Sequence, residues 1–163
     1  MTLGLSLHAV TILHVVISLI GIVSGLVVLF GLLKSELKAG MTGLFLVSTV
    51  LTNVTGFMFP FEKLLPSHII AILSLVLLLI ACVALYGWKL SGAWRSIYLI
   101  TAIASLYLNV FVLVIQSFLK IGVLHELAPS VPPSEPPFAV TQGVVLALFV
   151  IAGIAALRRF RPA

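Results

Sequence analysis

Charge is what this sequence has least of. Nine Lys and Arg with four Asp and Glu make up 8% of 163 residues, where a soluble domain carries about 25%. That is too little to coat a water-facing surface. Cysteine is nearly missing as well: Cys82 stands alone, so no disulfide forms within the chain, and its presence says little about redox compartment. No Walker A loop, G-x-G-x-x-G fingerprint, nucleophile elbow, H-E-x-x-H or C-x-x-C-H occurs. Phosphate loops, serine-hydrolase chemistry, zincin sites and haem c attachment therefore have no basis in the sequence. His125-Glu126 lacks the second histidine that a zinc protease needs. No basic n-region precedes the first apolar run, about Val10 to Leu33. That run is too long for a signal-peptide core and reads as a retained span.

What is present is apolar and continuous. The chain is 62% hydrophobic, with a mean hydropathy of +1.34. Crossing a hydrocarbon core of about 30 Å takes about 20 helical residues. Five blocks suffice, at about 8–33, 42–60, 67–88, 96–121 and 138–157. The expectation is an all-α integral membrane protein, one transmembrane domain over 1–163, built as a five-transmembrane-helix bundle. Asn53-Val54-Thr55 matches a glycosylation sequon but falls inside a span, so it is discounted. A proline-rich segment, 125–137, joins the last two spans as a spacer or as a lid. No internal repeat is visible, and five spans do not divide into equal halves, which weakens an inverted-repeat transporter reading.

Lys34, Lys38, Lys89, Arg95, Arg158, Arg159 and Arg161 fall on one side of these spans, and Lys63 and Lys120 on the other. This bias predicts an outside N-terminus and a cytoplasmic C-terminus. It also explains the net charge of +5 without nucleic acid. Tyr86, Trp88 and Trp94 would mark the inner interface, and Phe57, Phe59 and Phe61 the outer one.

Polar residues gather on the outer side. His8, His14, His68 and His125 all map there, with Glu62, Glu126 and Glu135. Along the fourth span, Tyr98, Ser105, Asn109, Gln116 and Lys120 share an arc of about 60°. Amides facing lipid cost several kcal/mol each, so this stripe must face the bundle or a wet cavity. In the first span His14, Ser18, Gly21 and Gly25 share a face, and Gly21 to Gly25 is a G-x-x-x-G that lets a helix approach closely. Thr49, Thr52, Asn53 and Gly56 line the second. The expectation is a polar, ligand-binding pocket made by His14, Asn53, Asn109, Gln116 and Gln142, with His68 and Lys120 at its mouth. His14 and His68 are the best candidates for a metal or haem ligand. The bland alternative is that these groups are interhelical hydrogen bonds.

The stretches TGFMFPF (Thr55 to Phe61), LPSHIIAILSLVLL, GAWRSIYLITA, LYLNVFVLVIQSF and SEPPFAVTQGVVLALFVIAG resemble a family of small, uncharacterised five-helix proteins of the bacterial inner membrane. The resemblance implies a multi-pass protein of that membrane, and no activity, cofactor or catalytic residue comes with it. Whether the chain is an enzyme is left open. Three readings stand: a periplasmic-side site for a small ligand or cofactor, a partner or assembly module of a larger membrane complex, and a small channel or transporter subunit. Against the last, no acidic residue lies mid-membrane to relay a proton or hold a cation. The expected partners are the lipid bilayer and either a second copy, through the Gly21/Gly25 face, or another membrane protein.

Overall fold

Ser6 starts the first helix by accepting the Ala9 amide on its side-chain oxygen at 3.2 Å, satisfying one of the amides a helix start leaves open. The computed structural model describes residues 6–59 and 66–161; Pro60, Phe61, Glu62 and Lys63 lie outside them. The described helices are α1 (Leu7–Leu33), α2 (Ala39–Gly56), α3 (Pro66–Cys82), α4 (Trp94–Lys120), α5 (Gly122–Leu127) and α6 (Pro136–Arg159). A π-helical turn, Val83–Gly87, extends α3. Five helical segments are long and apolar enough to cross a membrane, the third being Ser67–Gly87. The sequence blocks correspond to them within a few residues. Two boundaries differ: α2 begins and ends earlier than its block, and α5 occupies the start of the outer segment.

Successive long helices run antiparallel, and α4 is central, packing on α1, α3 and α6 and lightly on α2. One end of the bundle carries Leu7, Gly56, His68, Lys120 and Pro136; it is called the histidine end here. The opposite, basic end carries Lys34, Lys38, Lys89, Arg95 and Arg158.

The core lies toward the basic end. Leu32, Phe45, Leu78, Tyr98, Leu99 and Phe160 are all buried there. Arg95 Nη1 donates to the Leu157 and Phe160 carbonyls at 3.2 and 2.6 Å, closing the open carbonyl end of α6. The Arg161 amide donates to Ser35 Oγ at 2.7 Å, and the Trp88 and Trp94 rings stack 5.2 Å apart. By contrast α6 is peripheral. In its most apolar stretch 6% of residues are buried, against 44% in α1.

Most hydroxyls in the spans satisfy themselves within their own helix. Ser24, Ser48, Thr52, Thr101 and Ser105 each donate to the carbonyl four residues earlier at 2.6–2.9 Å. A serine or threonine bonded this way presents little more than a small apolar surface to its neighbour. The expected hydroxyl glue between helices is mostly close packing instead.

Gly21 and Gly25 are where α1 approaches its neighbours most closely. A Cβ at Gly25 would stand 2.5 Å from Leu106 Cδ1 and 2.8 Å from Phe45 Cδ2. The G-x-x-x-G face is therefore filled by α2 and α4 of the same chain.

Glu135 organises the proline-rich segment. Its carboxylate accepts the Ser130 amide at 2.9 Å, the Ser130 hydroxyl and the Ser134 amide at 3.0 Å. These bonds, the Ser130 hydroxyl foremost, lower its pKa from 4.5 to about 2. A depressed carboxylate supports the fold above its unfolded value and loses that support as pH falls through its folded value.

Two outcomes follow. Gly25→Ala lowers resistance to unfolding in detergent titrations by about 1–3 kcal/mol, the usual cost of overpacking, whereas Gly43→Ala, with nothing within 4 Å of the new Cβ, does not. Hydrogen-exchange protection of residues 130–135 stays intact from neutral pH to about pH 4, then disappears toward about pH 2; Glu135→Gln removes this transition.

Candidate functional site

The polar stripe on α4 changes surroundings along its length. Tyr98 and Ser105 are 0% exposed, Asn109 is half-buried, and Gln116 and Lys120 are exposed. The stripe leaves the core and opens toward the histidine end. Its floor is where α4 meets α1 and α2. A Cβ on Gly21 would lie 3.3 Å from Asn109 Nδ2 and 3.1 Å from Thr49 Oγ1. Both polar atoms are buried, and neither has a hydrogen-bond partner. Leaving such a group unpaired costs about 1–3 kcal/mol, so this junction can take up a further donor or acceptor.

About two turns along α1 from Gly21, toward the histidine end, stands His14, half-buried. Its Nδ1 lies 2.9 Å from Thr55 Oγ1. The single Thr55 hydroxyl proton is already directed to the Leu51 carbonyl at 2.8 Å. The Thr55 oxygen is therefore the acceptor, and His14 carries its proton on Nδ1. Nε2 keeps a lone pair. Phe59 meets the imidazole edge-on at 5.3 Å.

The six residues expected to share one pocket thus divide. Asn109 Nδ2 stands against α1 at Gly21, His14 bonds to Thr55 of α2, and Gln116 and Lys120 are exposed higher on α4. Asn53 faces the other way: its Nδ2 donates to the Thr49 carbonyl at 2.8 Å and to Ser74 Oγ at 3.0 Å, joining α2 to α3. Gln142 Nε2 donates to the Phe111 carbonyl at 3.0 Å, joining α6 to α4. His68 is 5% exposed and stacks on Phe57 at 5.7 Å. Among the described residues, no three of His, Cys, Asp and Glu converge as a metal site would require. His14 and His68 lie at the end of α2, and each packs on a phenylalanine that follows it, Phe59 and Phe57.

Two features went unread in the sequence. Thr55, the partner that sets the His14 tautomer, lies off the arc of Thr49, Asn53 and Gly56. Ser74, the partner of Asn53, lies within a run of Leu and Ile with no polar periodicity to mark it. A groove of about 280 Å³ lies between α4 and α6, lined by apolar residues and Tyr107; none of the six expected pocket residues reaches it. No protein-family model, curated protein or solved structure matches the chain.

The tautomer is directly observable. Nitrogen-15 NMR of the His14 imidazole shows the Nδ1–H form in the native protein, and Thr55→Val shifts the population toward Nε2–H with the helices intact.

Proposed function

We propose that the chain is a multi-pass membrane protein that binds a small anionic ligand in the gap between α1 and α4. The observation that carries this reading is the α4 stripe, which passes from core to open surface through Asn109, Gln116 and Lys120, toward the end of the bundle where α1 carries the half-buried His14. The groups have complementary roles. Lys120 supplies the positive charge, Asn109 an unpaired amide donor, and Gln116 a second amide nearer the mouth. His14 offers a lone pair on Nε2 to a ligand hydroxyl or to the proton of a half-neutralised acid. A small diacid matches the upper part of this set: one carboxylate accepts from Lys120 and Gln116, four residues apart on one helix face, and the proton of a half-neutralised second carboxyl goes to His14. The bias of Lys and Arg toward the basic end supports a site that faces the periplasmic side of a bacterial inner membrane.

The assembly-module reading draws on a different feature, the exposed apolar length of α6. Val140, Leu148 and Ile151 are each more than 60% exposed. Lipid covers such a face as readily as protein does, so this feature carries less weight than the α4 stripe.

The test is a titration of the protein in nanodiscs with succinate and, separately, inorganic phosphate, following the His14 imidazole by NMR. Saturable shifts are expected, and Lys120→Gln weakens binding at least about tenfold, the value of one charge-assisted hydrogen bond. Asn109→Leu also weakens it, while Asn53→Leu alters stability and leaves affinity unchanged. If neither anion perturbs His14 in folded protein, the reading fails.

A further inference from the structure

At the opposite end of the molecule, the α4–α6 groove has two properties that the gap does not explain. It is apolar along its length and opens sideways between exposed residues, with Ile100 and Val150 55% and 49% exposed. Both ridges that border it end in arginine. On α4, Leu99, Ile103 and Tyr107 form a row at four-residue intervals, and one step back along it stands Arg95. On α6, Leu146, Val150 and Ile154 form the facing row, and one step onward stands Arg158. Residues four apart lie on one helix face, so both arginines sit at the same mouth of the groove.

We propose that this groove holds one acyl chain of an anionic phospholipid whose phosphate rests on Arg95 and Arg158. Length supports it. From Leu157 to Leu146 the groove runs about 16 Å at about 1.5 Å per residue, half of a hydrocarbon core of about 30 Å, which is the depth of one leaflet. The Tyr107 and Phe149 rings, 5.6 Å apart, lie toward its inner end. Gly153 keeps its middle open: a Cβ there meets nothing nearer than Ile103 Cγ2 at 4.0 Å.

Charge supports it too. Arg95 uses Nη1 on the two carbonyls at the end of α6, and its Nη2 has no closer partner than Ser96 Oγ at 3.5 Å. The ion pair found among the described residues joins Lys38 to Glu36, and Glu36 is the sole acidic residue at the basic end. Among the described residues, neither arginine pairs with a carboxylate there. Basic residues beside an interhelical groove at the membrane surface are the chemistry that binds anionic headgroups. A helix from a protein partner would need no such pair of charges at one end of an apolar seam.

Native mass spectrometry of detergent-purified protein tests the inference, using phosphatidylglycerol, phosphatidylcholine with the same chains, and glycerol 3-phosphate. One phosphatidylglycerol per chain is expected, retained over phosphatidylcholine, with no retention of glycerol 3-phosphate. Arg158→Gln weakens retention about fivefold, the effect of one basic residue near an anionic surface. Arg159→Gln, off the row, weakens it less. Gly153→Leu fills the groove and abolishes retention without lowering the unfolding temperature. Equal retention of the two lipids, equal effects of the two arginine substitutions, or retention unaffected by Gly153→Leu would each overturn the proposal. So would a stoichiometric protein chain on this face that Gly153→Leu displaces in place of lipid.

Discussion

The close approach of α1 to α2 and α4 at Gly21 and Gly25 governs the rest of the bundle. In lipid, apolar side chains gain nothing by leaving their surroundings, so helices associate where their surfaces fit. The fit here is set by the missing side chains at Gly25, into which Phe45 and Leu106 press, and at Gly21, against which Thr49, Ser48 and Asn109 stand. Below that contact the helices enclose a continuous core around Leu32, Tyr98 and Leu99. Above it, toward the histidine end, the α4 stripe emerges from cover. One contact therefore produces both a tight end and an open one.

The two ends use polar groups differently. At the basic end, Arg95 and Ser35 satisfy chain termini and hold α6 and the C-terminal residues in place. In the middle, serines and threonines hide in their own helices. Beside them, Asn109 Nδ2 and Thr49 Oγ1 are buried and unpaired. An amide is too long to fold back as neatly as a hydroxyl, so its orientation depends on what stands opposite. Asn53 found Ser74 and Gln142 found the Phe111 carbonyl; Asn109 found neither.

Much of the fold was legible in the residues. Span number and approximate limits follow from apolar length, because a bilayer of fixed thickness admits few alternatives. The α4 stripe was legible as well, since helical geometry alone puts Tyr98, Asn109 and Lys120 on one face. The site was legible in part. Depth and facing singled out His14, Asn109 and Gln116, but applied equally to Asn53 and Gln142, whose hydrogen bonds go to Ser74 and to the Phe111 carbonyl. Facing within one helix does not say which neighbour occupies that side.

The stretch from Leu51 to His68 shows where the division falls. Sequence by itself determined that the chain is helical and apolar enough to span a membrane five times, and that its polar residues cluster toward one end. These are properties of single helices in a slab of fixed thickness. Tertiary structure decided that Thr55 accepts from His14 and that Asn53 leaves the gap for Ser74. It also decided that the glycine face is filled from within and that two arginine-ended ridges meet at one groove. Each of these depends on the rotation of one helix against another. That rotation is set by side-chain fit over the whole contact, which no single helix encodes.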